Sequence, residues 1–151
     1  MQEWETLMGQ AKSGYQESAY ELAIQLNRSA LTLAREKFDG LFSQDPDKAL
    51  ASMLVSHFSL TDGLLAKADY EAARYQLITA SDFLFSVVQR AGNMTENERL
   101  ALLRGLQRLR FECLHFAQQI AKQLMPQDPR LTVNNLDQCL RSLLQLQENL
   151  H

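Results

Sequence analysis

Glycine and proline are scarce in this sequence. Six glycines and three prolines among 151 residues leave little punctuation, and alternating apolar–polar runs are missing, which favours helices over a sheet. Basic charge is not in excess. A net charge of −3 gives no bulk attraction to nucleic acid or to an anionic membrane. The opening MQEWETLMGQ has no basic segment followed by an apolar run, so no secretory signal is expected. No stretch approaches eighteen consecutive apolar residues, so no transmembrane helix is expected. Glycine-rich phosphate loops, GxSxG and HExxH are all absent. Cysteines number two, Cys113 and Cys139. They fit either reduced, buried thiols of a cytosolic protein or one disulfide joining two helices.

What is present is helical periodicity. At 151 residues the chain is one domain by length, and 46 % hydrophobic content suits a packed core. A first helix is expected over Gln2–Lys12, with Trp4, Leu7, Met8 and Ala11 as its stripe and Ser13-Gly14 as its stop. A second runs from about Glu17 to Phe42 on a seam of Tyr20, Ala23, Ala30, Ala34 and Phe38, flanked by Leu22, Leu26 and Leu33. Asp45-Pro46 caps and starts a third, about Pro46–Lys67, with His57 and Leu64 among its inward residues. Asp69 caps a fourth over about Tyr70–Ala91, and Gly92-Asn93 ends it. Thr95 and Glu98 form a capping box for a fifth that runs to about Met125. Its stripe includes Leu100, Leu103, Leu106, Leu109, Leu114, Ala117, Ile120, Ala121 and Leu124, with a kink or close contact at Gly105. Pro126-Gln127-Asp128-Pro129 forces a turn. The last helix, about Val133–Leu150, carries Leu136, Cys139, Leu140, Leu143, Leu144 and Leu150.

The organising stretch is Leu60 to Ala80. Tyr70, Ala73, Leu77 and Ala80 share one helical face, and two alanines there let helices approach closely. Tyr20, Glu21, Ala23 and Ala30 match Tyr70, Glu71, Ala73 and Ala80 at a shift of fifty residues, with Asn27 at the position of Leu77. Trp4 and Leu7 resemble first-helix marks three residues early, a shift that a longer turn through Ser13–Ser18 would absorb.

Together with His57, Leu60, Thr61 and Leu64, these spacings resemble the tetratricopeptide repeat, a helix pair of about thirty-four residues. The whole chain also resembles a small, uncharacterised group of bacterial repeat-like proteins, which supplies no activity. The resemblance implies an all-α fold of stacked antiparallel helix hairpins, an α-solenoid fragment of about six helices. Residues 1–92 would form two repeat-like pairs and 93–151 a divergent C-terminal pair within a single domain, 1–151. In such arrays the first helices line a concave groove. By that resemblance the groove shows Glu5, Met8, Lys12 and Tyr15, then Val55, Phe58, Asp62 and Leu65. Phe58 and Met8 would be its adaptable apolar contacts, unless the C-terminal helices simply cover Phe58. On the groove reading, Phe58→Glu abolishes partner capture and leaves stability nearly unchanged.

Chemistry-bearing residues do not converge. Cys113 and His115 are two positions apart and point roughly 200° apart on a helix, so they cannot share a metal. Ser56 and His57 diverge, so no nucleophile–base pair forms. Neither a metal site nor a cofactor nor catalysis is expected. Arg104 and Arg108 share a face with Glu112. This is either a solvated face with salt bridges or a basic strip that docks an acidic or phosphorylated partner. The expectation is a cytoplasmic, non-catalytic adaptor or chaperone-like module that binds a peptide or helix of another protein, with no nucleic acid and no membrane. The alternatives are a self-assembling homodimer and a helical domain that binds a small ligand.

Overall fold

A computed structural model describes residues 1–90, 92–124 and 134–150. Among them are six helices and no strands: α1 Gln2–Gln16, α2 Tyr20–Gln44, α3 Pro46–Ala66, α4 Tyr70–Arg90, α5 Glu96–Leu124 and α6 Asn134–Leu150. The fold is all-α, built of packed helix hairpins. The turn expected at Pro126–Pro129 lies outside the described residues, as do the side chains of Ala121, Leu124 and Leu136.

Local signals set most helix ends. The Asp45 carboxylate accepts from Lys48 N at 3.1 Å with Pro46 in the first turn, and Asp69 accepts from Ala72 N at 3.3 Å. Glu98 N donates to the Thr95 hydroxyl at 3.2 Å. α5 continues through Gly105.

The exception is the first helix end. Ser13-Gly14 does not stop α1, which continues to Gln16, because Gly14 is buried within the helix. The chain turns instead at Ser18, in the left-handed region at φ 61°. Ala19 N donates to Gly14 O at 2.8 Å and Ser18 N to Tyr15 O at 3.0 Å, the paired bonds of a Schellman turn. Fifty residues on, Ala68 has φ 59°, Asp69 N donates to Leu64 O and Ala68 N to Leu65 O, each at 2.9 Å. The two turns are the same, so no longer first turn is needed. The first-helix positions matching His57, Leu60, Thr61 and Leu64 are Leu7, Gln10, Ala11 and Gly14, not Trp4.

The chain divides into two compact units, Met1–Gln76 and Leu77–His151. The division falls inside α4, whose first turns belong to unit 1 and the rest to unit 2.

In unit 1, α2 packs on α1 and α3, and α1 also touches α3. The buried face of α2 is Ala23, Ile24, Asn27, Ala30, Leu31, Ala34 and Phe38, one side of the helix reached in steps of one, three and four residues. Leu22 lies off that side and is 51 % exposed, so it does not form the flanking apolar face expected of it. A Cβ placed on Gly63 would lie 3.0 Å from Ile24 Cγ1, so α3 approaches α2 closely at that point. Trp4 Nε1 donates to Ser56 Oγ at 2.8 Å and ties α1 to α3. α3 is also the described helix long and apolar enough to span a bilayer by length and composition; 67 % of that window is buried.

In unit 2, α5 packs on α6. Leu102, Leu106, Leu109, Cys113, Phe116 and Ile120 are buried on α5, and Leu143, Leu146 and Leu150 on α6. Leu100, Leu114 and Leu144, expected inward, are exposed because they fall one position off those stripes. Arg99 Nη1 donates to Leu150 O and Arg110 Nη1 to Gln147 Oε1, both at 2.9 Å.

Two predictions test the packing of unit 1. Gly63→Val should destabilise the protein by about 1–3 kcal/mol through overpacking. Adding Ile24→Ala should cost less than the sum of the two single losses, measured by urea unfolding. Ala68→Gly should stabilise by roughly 0.5–1 kcal/mol, because the left-handed turn position penalises a Cβ; a loss of stability would contradict the turn geometry.

Candidate functional site

α3 is buried on most of its circumference. Between Ala49 and Leu64 its described side chains are nearly all inside, apart from a strip one residue wide at Ala51, Val55, Ser59 and Asp62. Across from that strip lie Met8, Gly9, Ala11, Lys12 and Tyr15 of α1, with Asn27 of α2 at the floor. Together these three helices line a cleft of about 380 Å³.

The floor carries an electrostatic anomaly. Asn27 is 3 % exposed, and its side-chain Oδ1 has no hydrogen-bond partner among the described residues. A buried amide oxygen left unpaired costs about 1–3 kcal/mol. At the rim, Tyr15 stacks edge-on to Tyr20 with ring centroids 5.3 Å apart. Burial, the Asp62 carboxylate and Tyr20 together hold the Tyr15 phenol above its ordinary value. Lys12 and Asp62, both exposed, bring charges of opposite sign to the same cleft.

The structure gathers five of the groove residues picked out in the sequence: Met8, Lys12, Tyr15, Val55 and Asp62. It leaves out two. Phe58 is buried at 6 % exposure, and Leu65 is half-buried outside the cleft. Both lie on one flank of the α3 strip, roughly 55–75° round the helix from its centre. Phe58 is therefore core, and a charge placed there would report on folding rather than on binding. Sequence reasoning missed Gly9, Ala11, Ser59 and Asn27. The signal for Asn27 was available: a polar residue stands where the fifty-residue copy has Leu77.

Other candidates sit elsewhere. Cys113 is buried and His115 exposed, stacked on Phe111 at 6.4 Å, so the two face away from each other. Arg104 and Arg108 are exposed on α5, and Arg108 Nε lies 3.5 Å from Glu112 Oε1, so part of the basic strip is neutralised within the helix. Among the described residues no group of three His, Cys, Asp or Glu side chains is arranged to hold a metal ion.

The family described as protein of unknown function (DUF2753) matches residues 2–141. The chain belongs to that family. No curated protein and no solved structure matches it. The family match covers all the residues of the cleft.

His57 lies within the same unit but does not reach the cleft. Its Nδ1–H donates to Gln76 Oε1 at 3.2 Å, while Nε2 has no partner among the described residues. Burial pushes its pKa down to about 4, against a smaller upward pull from Gln76 and a further push down from Arg35. The unfolded chain therefore takes up a proton near pH 6.5 that the folded chain refuses until about pH 4. The stability from neutral His57 is full above pH 6.5 and is lost as the pH falls towards 4. The loss should be on the order of 3 kcal/mol, read as a falling urea midpoint. His57→Gln, which cannot take a charge, should flatten that part of the profile; an unchanged profile would show that His57 is not the titrating group.

Proposed function

We propose that the chain is a non-catalytic interaction module of tetratricopeptide type, whose cleft between α1, α2 and α3 takes a short extended segment of another protein. Asn27 carries this reading. A carboxamide oxygen buried at the floor with no partner among the described residues weakens the free protein, and a small opening of the cleft on binding would let a backbone N–H of the incoming segment reach it. An apolar side chain of that segment fits against Met8 and Val55, where a flexible thioether adapts to different shapes. Lys12 and Asp62 at the rim select orientation rather than affinity. A cleft of about 380 Å³ suits one or two side chains.

Further support comes from the architecture. The two hairpin turns recur fifty residues apart with the same bonds, and α1 and α3, the first helices of the two pairs, both contribute to the cleft. By the resemblance, those are the helices that line the groove of such an array. The same reading puts the module in the cytoplasm, where two free thiols stay reduced.

The test uses Asn27→Leu, which installs the residue found at the matching position of the repeat. This variant should gain about 1–2 kcal/mol of stability, since a buried unpaired acceptor is replaced by an apolar group of similar shape. Peptides selected from a random phage-displayed library on the wild-type protein should bind Asn27→Leu and Val55→Glu at least tenfold more weakly. Peptides that bind both variants as tightly as the wild type, or a selection that enriches none, would remove the cleft as the site. Light scattering over a hundredfold concentration range should show a monomer; a dimer undone by Val55→Glu would reassign the cleft to a second copy of the chain.

A further inference from the structure

The two cysteines sit in unequal surroundings within unit 2. Cys113, on α5, has no exposed surface. Cys139, on α6, is half-buried and lines a second cleft, of about 400 Å³, together with Ser81, Asp82 and Phe85 of α4. The two thiols lie within hydrogen-bonding reach of each other, and both are free. Cys139 Sγ also donates to Ser81 Oγ at 2.8 Å, while the Ser81 hydroxyl donates to Leu77 O at 3.1 Å.

We infer that Cys139 and Cys113 form a thiol–disulfide exchange site, with Cys139 as the attacking sulfur, Cys113 as the resolving thiol and a low-molecular-weight disulfide as the oxidant. Three features support the division of labour. Cys139 alone opens to a cleft, so an external disulfide reaches it first. Once Cys139 loses its proton, the Ser81 hydroxyl can turn from Leu77 O to donate to the sulfur. The Cys113 thiol donates to the same sulfur, and this contact is the main cause that holds Cys139 below the ordinary thiol value, with Ser81 adding to it against burial and the Asp82 carboxylate. Hydrogen bonding to Cys139 and burial push Cys113 the other way, so it stays protonated until a mixed disulfide forms beside it.

The exchange balances in two steps. The Cys139 thiolate attacks one sulfur of the small disulfide, forms a mixed disulfide and releases one thiolate. Cys113 gives up its proton, by way of the released thiolate, and attacks the Cys139 sulfur. The second small thiolate leaves and takes a proton from solvent. The protein loses two hydrogens and two electrons, and the small disulfide becomes two thiols. Asp82 at the cleft favours a neutral or cationic disulfide over an anionic one.

Cystamine is the probe, added to the folded chain and followed by intact mass. The wild type should lose two hydrogens, retain no cysteamine and return to its starting mass with dithiothreitol. Cys113→Ala should hold one cysteamine on Cys139. Cys139→Ala should leave Cys113 unmodified while the protein stays folded, checked by circular dichroism. A wild type that accumulates cysteamine without closing the internal bond, or that stays unmodified until denatured, would overturn the inference. A measurement without variants runs in parallel: brief native alkylation with iodoacetamide, mapped by peptide mass, should label Cys139 well before Cys113. Equal or reversed labelling would also overturn it.

Discussion

The packing of unit 1 depends on the first turns of α2 fitting between two glycines. Ala23 lies against Gly14 of α1, where an added Cβ would stand 3.6 Å from Ala23 N. Ile24, the next residue, lies against Gly63 of α3. Neighbouring residues on a helix point about 100° apart, so one short stretch of α2 meets two helices at once. Small residues at those contacts bring the backbones together, and Ala30 and Ala34 continue the approach along α2 with almost no exposed surface. α3, packed on α2, has few exposed positions between Ala49 and Leu64. The cleft exists because one strip of α3, at Val55, Ser59 and Asp62, faces α1 across a gap that these side chains are too small or too polar to fill.

The internal repeat sharpens what is particular about that cleft. Buried positions agree between the copies at Ala23 and Ala73, Ala30 and Ala80, Leu31 and Ser81, Ala34 and Leu84. They differ in chemistry at Asn27, whose counterpart is Leu77, and at Leu31, whose counterpart is Ser81. The second copy fills the position of Asn27 with a buried apolar side chain. The first copy carries an amide instead, and its buried oxygen has no partner among the described residues. His57 adds a second buried polar group to the same unit, its Nε2 without a partner among the described residues. Groups of this kind reduce stability, and at Asn27 the loss coincides with the wall of a cleft.

Unit 2 is held differently. Its helices α5 and α6 meet through leucines, and two arginines of α5 reach across to a backbone carbonyl and to a side-chain amide of α6. Bonds from guanidinium groups to neutral acceptors fix the register of the two helices without burying a pair of charges. That register sets Cys139 of α6 beside Cys113 of α5, while Cys139 also reaches Ser81 of α4.

The all-α class, the helix limits set by Asp45-Pro46, Asp69 and Thr95, and the fifty-residue repeat were determined by the sequence alone. Each rests on local chemistry: a carboxylate or hydroxyl reaching end amides, or an apolar period matched to 3.6 residues per turn. Even so, the first turn was misplaced at Ser13-Gly14, because a glycine that ends a helix and one that admits a neighbour look alike in sequence. Tertiary structure decided which face of each helix is covered. Phe58 and Val55 are three residues apart and equally plausible as groove residues, yet one is core and the other lines the cleft, since a helix offers several adjacent apolar faces and only its neighbours select among them. Tertiary structure likewise decided that Asn27 faces a cleft and that Cys113 meets Cys139, because both depend on contacts between helices far apart in the chain.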